Sequence, residues 1–261
     1  MKRAVAEQLG SDAIWHDVEC GAYTADLRLW RELRDDVRRS TGACAVLELG
    51  CGTGRVSLDL AGDGCHVTAL DLDEELVAVV GQRARDRDLP IEPVVGDARS
   101  FSLGQRFDLV LAPMQLVQLL RSEGERAALL RCVGDHLKAD GWAAFALLDV
   151  AEHWEASPGA APVPDVREID GWVYSSQPVA VRHIERGRAV ELDRVRRAVS
   201  PEGRLSESFS RMRLLLLSQL KLEREAARAG LAAEPSRRVP ATRDHVGSTV
   251  VLTSRAKGRG A

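Results

Sequence analysis

The 261-residue chain has the composition of an ordinary globular protein, with 45% hydrophobic and 29% charged residues. A formal net charge of −3 and the absence of a basic stripe give no reason to expect a nucleic-acid partner. Nothing approaches the ~18 apolar residues of a membrane span, and the N-terminus lacks a signal-peptide pattern, so a cytoplasmic protein without membrane contact is expected.

The chain has five cysteines, an odd number, and none of them form a C-x-x-C pair. This pattern predicts neither a disulfide framework nor a zinc site, and no metal is expected. The five positions are Cys20, Cys44, Cys51, Cys65 and Cys132.

Residues 1–40 are predicted to form an N-terminal helical cap. From Ala22 to Arg39, apolar residues recur at helical spacing on one face, at Leu27, Trp30, Leu33 and Val37. Aromatic residues concentrate just before this helix, where Trp15 and Tyr23 either dock it on the core or face a ligand.

Strands and helices alternate from residue 45 onward. Apolar strands are predicted at 46–49, 66–72, 91–95, 107–112 and 142–150, with helices at 55–61, 74–85 and 115–137. Strands that are apolar throughout and separated by helices indicate an α/β fold with a doubly wound parallel sheet.

The alternation of strands and helices ends at a Pro/Ala/Gly loop at 156–165. Three partly alternating runs, 172–184, 188–199 and 204–216, predict a small antiparallel layer, with a bulge or edge at Pro178. A helix at 219–229 and strands at 231–239 and 248–254 follow. The expected domains are therefore the cap 1–40, a core of 41–150 with 217–261, and an antiparallel insertion of 151–216.

Polar signals fall where the core strands end. The run E-L-G-C-G-T-G places Glu48 before glycines at alternate positions, Gly50, Gly52 and Gly54, and then opens a helix. Asp71 closes the second strand and Asp97 the third. Ligands of open α/β sheets bind at such carboxyl ends, so this order predicts a nucleoside-containing cofactor.

These motifs resemble those of class I S-adenosylmethionine-dependent methyltransferases. The matching stretches are V-L-E-L-G-C-G-T-G-R, V-T-A-L-D-L-D, V-V-G-D-A-R-S-F and F-D-L-V-L-A-P-M-Q. The resemblance implies a Rossmann-like seven-stranded sheet whose last strand is antiparallel. Together with the N-terminal helices and the layer after strand 5, it points to enzymes of the glycine/sarcosine or antibiotic-tailoring type, in which such a layer covers the substrate.

The resemblance also implies roles for individual residues. Asp71 would take the ribose hydroxyls of S-adenosylmethionine, and Asp97 would accept from the adenine amino group. The other expected cofactor-binding residues are Tyr23, Glu48, Gly50, Cys51, Gly52, Leu72, Ala98, Pro113 and Met114. Gly54 would allow close packing, and Cys51 is expected to pack rather than to act in redox chemistry.

The expected reaction moves a methyl group to a nitrogen or oxygen of a small organic molecule, such as a natural-product intermediate, and leaves S-adenosylhomocysteine. A hydroxyl acceptor needs a base, and His16 and His153 are the candidates. The sequence leaves open a nicotinamide-dependent oxidoreductase and an S-adenosylmethionine-binding protein with non-methylating chemistry. It also leaves open a homodimer.

Overall fold

The structure, a computed structural model, describes residues 11–42, 44–148, 163–242 and 245–256. The described residues fall into two compact units. Unit 1 contains 11–23 and 163–216, and unit 2 contains 24–148 and 217–256. No described helix combines the length and apolarity that a membrane crossing requires.

Unit 2 alternates strands and helices as expected. Its strands are β1 (Ala45–Leu49), β2 (His66–Asp71), β3 (Ile91–Val95), β4 (Phe107–Ala112), β5 (Leu137–Leu148), β10 (Leu231–Val239) and β11 (Ser248–Arg255). Its helices are α2 (Leu27–Thr41), α3 (Arg55–Gly62), α4 (Glu74–Asp86), α5 (Leu116–Leu119), α6 (Glu123–His136) and α7 (Gln219–Arg228).

The seven strands of unit 2 form one sheet in the order β10-β11-β5-β4-β1-β2-β3. β1 to β5 run parallel, whereas β11 is antiparallel to both of its neighbours, β5 and β10. The doubly wound sheet with an antiparallel last strand is thereby confirmed. The order reverses beside β1, which makes the carboxyl ends of β1 and β4 the switch point where ligands bind in such sheets.

Hydrophobic side chains cover both faces of this sheet. One cluster contains Leu47, Phe107 and Phe145, and the other contains Trp30, Val46 and Leu109. Alternate residues of the same strands therefore enter opposite layers, which explains why these strands are apolar throughout.

A buried ion pair ties α6 to α7. The Arg126 guanidinium donates to both carboxylate oxygens of Glu225 at 2.7 and 2.8 Å, and both side chains are 2% exposed. Losing either partner would leave the other charge buried and unpaired, at a cost of about 3–5 kcal/mol.

Unit 1 is a four-stranded antiparallel sheet with one packed helix. The helix is α1 (Asp12–Cys20), and the strands, in sheet order, are β6 (Asp165–Ile169), β7 (Trp172–Ile184), β8 (Ala189–Val199) and β9 (Leu205–Leu215). The three predicted runs are confirmed, and the register shifts between Pro178 and Ala180 as a bulge. β6 was not predicted, because D-V-R-E-I has little apolar content.

The expected cap over 1–40 is divided in the structure. The α1 residues Trp15 and Val18 cluster with Tyr174 and Ala198 of the small sheet, whereas α2 packs in the core of unit 2. The Trp15 and Tyr174 rings meet edge-on with centroids 5.5 Å apart, so Trp15 docks its helix. That 151–216 covers an acceptor stays a prediction.

The expectation of no disulfide is wrong for one pair, because Cys44 and Cys65 are bonded. Each precedes a strand, and the register of β1 and β2 pairs Ala45 with His66. Neighbouring parallel strands therefore bring the two Cα atoms to 5.1 Å, which is within disulfide range. Spacing along the sequence carries no sign of this pairing.

Candidate cofactor site

The glycine turn after β1 has a backbone that only glycine adopts freely. Gly50, Gly52 and Gly54 all have positive φ, at 67°, 54° and 90°. A Cβ on Gly54 would overlap Cγ2 of Val80 on α4. The turn therefore packs tightly against α4, the helix that follows β2. Because the turn comes directly after β1, its backbone N–H groups lie at the carboxyl edge of the sheet.

Asp71 holds this turn from the end of β2. Its Oδ2 accepts from the Gly52 N–H at 2.8 Å, and its Oδ1 accepts from the Asp73 N–H at 3.0 Å. A carboxylate has about four lone-pair sites, so Asp71 can still accept from two hydroxyl groups. The next residue, Leu72, is 67% exposed and offers an apolar surface beside the carboxylate.

Glu48 lies beneath the turn. Its carboxyl is 2% exposed and accepts a hydrogen bond from the Ser57 hydroxyl of α3. Burial raises the pKa of Glu48 to about 8, against the opposing effects of the Ser57 hydrogen bond and the nearby Arg55. In this position Glu48 supports the turn, and its expected contact with the cofactor stays a prediction.

An ion pair that sequence reading missed fixes the start of α3. Arg55, directly after the turn, donates to both oxygens of Asp26 at 2.5 and 2.9 Å, and Trp30 Nε1 donates to the same carboxylate at 2.8 Å. All three side chains are largely buried. Arg83 of α4 donates to the Thr53 carbonyl at 3.0 Å, so the turn is held from two helices.

Asp97 follows β3 at the same edge, but Arg99 engages both of its oxygens. Arg99 Nη2 donates to Oδ2 at 2.6 Å, Nε donates to Oδ1 at 2.9 Å, and the Arg99 backbone N–H reaches Oδ1 at 2.8 Å. The Arg99 hydrogen bonds lower the pKa of Asp97. Arg99 also donates to Glu125 of α6 at 2.8 Å.

Pro113 and Met114 follow β4 at the switch point. Pro113 is buried, and Met114 has a left-handed backbone with φ of 55°, a strained conformation for a residue other than glycine. The chain then enters α5, where Leu116 packs close to Gly50. The structure therefore brings the expected residues of β1, β2, β3 and β4 to one edge, together with Ala98 and the buried Cys51.

Burial raises the pKa of the Cys51 thiol, which opposes formation of a reactive thiolate. A packing residue is thus the better description of Cys51, as expected from its place in the turn.

Three expected site residues are not among the described residues of unit 2. Tyr23 and His16 belong to unit 1, where Tyr23 follows α1 and His16 is half-buried on it. His153 lies outside the described residues. Their proposed roles stay predictions.

A hollow of about 330 Å³ lies at the opposite, amino edge of the sheet. It is lined by residues that begin strands, such as Ala45, His66 and Phe107. The topology of open α/β sheets places ligands at the carboxyl edge instead, and the glycine turn is there.

The residues at the carboxyl edge fit S-adenosylmethionine. The turn excludes Cβ atoms, Asp71 retains acceptor capacity for a ribose, and Leu72 exposes an apolar side chain for a base.

Comparison with known proteins agrees with this fit. A methyltransferase-domain family model matches residues 46–141. The cypemycin N-terminal methyltransferase of a Streptomyces species is 36% identical over 118 residues, which span 45% of this chain but only 47% of that relative. A dTDP-3-amino-3,6-dideoxy-alpha-D-glucopyranose N,N-dimethyltransferase of Streptomyces fradiae is 28% identical over 76% of this chain and 73% of its own length.

Solved structures share the fold over nearly the whole chain. DesVI of Streptomyces venezuelae aligns with a TM-score of 0.70 and 22% identity, covering 95% of this chain and 99% of that one. CalS10, an amino pentose methyltransferase from Micromonospora echinaspora with S-adenosylmethionine bound, aligns with a TM-score of 0.68 and 21% identity, covering 94% and 98%. Residues 46–141 are therefore similar to a methyltransferase domain, and the chain has the fold of the solved methyltransferases named above.

Proposed function

We propose that this protein transfers a methyl group from S-adenosylmethionine to an amine nitrogen of a small organic molecule and releases S-adenosylhomocysteine. The observation that carries the proposal is the left-handed glycine turn held by Asp71 through the Gly52 N–H. Nitrogen is favoured over oxygen because the relatives named above include an N,N-dimethyltransferase of a dTDP-3-amino sugar and the cypemycin N-terminal methyltransferase.

In this proposal, the carboxyl edge of the sheet holds the cofactor. Asp71 accepts from the two ribose hydroxyls, and Leu72 packs against the adenine. Asp97 and the Ala98 backbone meet the polar edge of the base. The remaining wall, toward the reactive methyl, comes from the residues after β4, Pro113 and Met114.

The bound cofactor supplies an already activated methyl group as a sulfonium. The chain must therefore align the acceptor and exclude water rather than activate the donor. An amine reacts once it has lost its proton, so it needs no strong base. We assign acceptor positioning or proton removal to His16 and His153, a contribution of about 10²–10⁴ in rate where a base is required.

Cofactor binding is tested by replacing Asp71. Asp71→Ala removes charge-assisted acceptors for two hydroxyls, each worth about 1.5–3 kcal/mol, so calorimetry should record at least a ~100-fold weaker affinity for S-adenosylmethionine. Asp73→Asn is the matched control. It removes an acid two residues away, but asparagine still caps α4, so affinity should be unchanged.

Retained affinity in Asp71→Ala would contradict the assigned ribose contact. Binding of a nicotinamide dinucleotide without binding of S-adenosylmethionine would support the oxidoreductase alternative instead.

The reaction is tested with isotopically labelled methyl donor and a mass-spectrometric screen of small amines and alcohols. Transfer of the label to an amine is the expected result. A label on oxygen would overturn the choice of nitrogen. Consumption of the donor with no methylated product would favour the non-methylating alternative.

A further inference from the structure

The disulfide between Cys44 and Cys65 lies at the amino ends of β1 and β2. Cys44 directly precedes β1, and Cys65 directly precedes β2. The chain between them contains β1, the glycine turn and all of α3, so the bond closes a loop that includes the turn. It therefore ties together two strands whose opposite ends carry the turn and Asp71, which are joined through the Gly52 N–H.

The two sulfurs of this bond differ in their access to solvent. Cys65 is 0% exposed and belongs to the hydrophobic cluster that contains Trp30 and Val46. Cys44 is half-buried and packs at the margin of the same cluster. Thiol–disulfide exchange requires that a thiolate reach one of the two sulfurs directly. In the folded protein, an external thiolate therefore reaches Cys44 and not Cys65.

A guanidinium lies beside the buried sulfur. Arg38 of α2 donates through Nη2 to Cys65 Sγ at 3.3 Å and to the Asp63 carbonyl at 3.2 Å. The Asp63 carboxylate is itself engaged by Arg34. Within the described ranges, Arg38 donates to no carboxylate, so its positive charge is available to the sulfur. A neighbouring arginine stabilises a thiolate relative to a thiol.

These two features assist opposite sides of one reaction. Attack on Cys44 expels Cys65 as a thiolate, and exchange is faster when the leaving thiolate is more stable. Arg38 stabilises that leaving thiolate, and the partial exposure of Cys44 admits the attacking one. A disulfide with both sulfurs inside an apolar core would have neither property.

We propose that the Cys44–Cys65 disulfide is a thiol–disulfide exchange site, at which a small thiol attacks Cys44. The attacking thiolate forms an S–S bond with Cys44 Sγ, and the bond between Cys44 and Cys65 breaks. Cys65 keeps the electron pair as a thiolate beside Arg38. A second small thiol then attacks the mixed disulfide. In sum, two small thiols are oxidised to one small disulfide, and their two electrons and two protons end on Cys44 and Cys65.

The exchange acts on the stability of the loop that carries the cofactor turn. A covalent link stabilises a protein mainly by limiting the unfolded chain, and this link spans a sequence separation of 21. The reduced protein stays folded, because β1 is still paired with β2 and β4, but it unfolds at a lower temperature. This inference does not rest on the methyl transfer proposed above.

The exchange is tested on the full chain with glutathione as the small thiol. The protein is oxidised with glutathione disulfide, its free thiols are blocked with N-ethylmaleimide, and it is then treated with about 10 mM glutathione and quenched with acid. Peptide mapping by mass spectrometry should find the Cys44–Cys65 bond before this treatment and a glutathione adduct on Cys44 after it. An adduct on Cys65 would overturn the proposal. So would N-ethylmaleimide on both cysteines, or a bond that survives the treatment for hours.

The role of the guanidinium is tested by the exchange rate. Arg38→Gln should slow exchange roughly 3- to 10-fold, and Arg38→Lys, which keeps the charge, should retain most of the rate. Arg39→Gln is the matched control, because Arg39 is 74% exposed and pairs with Asp36 instead. Circular dichroism checks that each variant is folded. Equal rates in Arg38→Gln and Arg39→Gln would overturn the assignment of Arg38.

The effect on stability is tested by thermal unfolding with and without a reducing thiol. Reduction should lower the melting temperature of the wild-type protein by about 5–10 °C. Cys44→Ser cannot form the bond, so it should melt near the temperature of the reduced wild-type protein and should not respond to the thiol. A wild-type melting temperature that reduction leaves unchanged would contradict the proposed control of the loop.

Discussion

Replacing Glu48 with glutamine should remove a pH dependence of stability that burial of this carboxyl creates. The pKa of Glu48 is raised to about 8 in the folded protein from an ordinary value of 4.5, chiefly by burial. Between these two values the folded protein keeps a proton that the unfolded chain releases. The free energy of unfolding of the wild-type protein should therefore fall as the pH rises from about 4.5 to 8.

The size of the effect follows from the same two values. A change in pKa from 4.5 to about 8 corresponds to about 5 kcal/mol at most. About two of these pH units lie between pH 6 and the folded pKa, so at most about 2.7 kcal/mol of the change falls above pH 6. Glutamine has nearly the same shape, can accept the Ser57 hydrogen bond and does not titrate.

The assay is urea unfolding of wild-type protein and Glu48→Gln at about pH 6 and pH 9, which bracket the folded pKa. The stability of the variant relative to wild type should rise by up to about 2.7 kcal/mol between these pH values. Glu74→Gln, at an exposed carboxyl of α4, should follow wild type at both pH values. Parallel behaviour of Glu48→Gln and wild type would refute the reasoning, because Glu48 would then be ionised in the folded protein.

Two further predictions concern the cofactor site. Gly54→Ala places a methyl group against Val80 at a φ of 90°, and should lower the free energy of unfolding by about 2–3 kcal/mol and weaken S-adenosylmethionine binding. Urea unfolding measures the loss of stability, and calorimetry measures the loss of affinity. Gly62→Ala is the control and should change neither, because its methyl group meets no atom within 4 Å. Equal losses in the two variants would contradict the packing argument. Arg99→Gln should let the pKa of Asp97 rise toward its ordinary value, so that calorimetric affinity for S-adenosylmethionine falls several-fold at about pH 3.5 and stays unchanged at about pH 8. The same affinity ratio at both pH values would argue against a contact between Asp97 and the cofactor.

The core sheet could be predicted because its strands are buried on both faces. Stretches such as Phe107–Ala112 are apolar at every position, and the sequence marks their ends with glycines and acids. The start of β5 was misplaced at 142 rather than Leu137, because K-A-D-G gives no apolar signal there. β6 was not predicted for the same reason, because its own side chains give little apolar signal. It is a strand because it pairs with β7.

The candidate site was predictable in its backbone and less so in its side chains. Glycine spacing predicts the turn, and strand-end acids predict the edge. That Glu48 turns inward to Ser57, and that Asp97 is occupied by Arg99, depends on rotamers and on helices packed from elsewhere in the chain. Such contacts leave no periodic pattern in the sequence.

The position of β11 affects how the protein is made. In the sheet β11 lies against β5, yet the paired residues Leu148 and Ser248 are 100 positions apart in the chain. At about 5–20 residues per second, a ribosome takes roughly 5–20 s to synthesise the intervening segment. During that time β5 is already synthesised, but the edge that will pair with β11 is unpaired. An unpaired edge of an apolar strand can pair with strands of other chains. Yield during expression should therefore depend on holding chaperones and on low temperature, and a chain cut before Ser248 should aggregate.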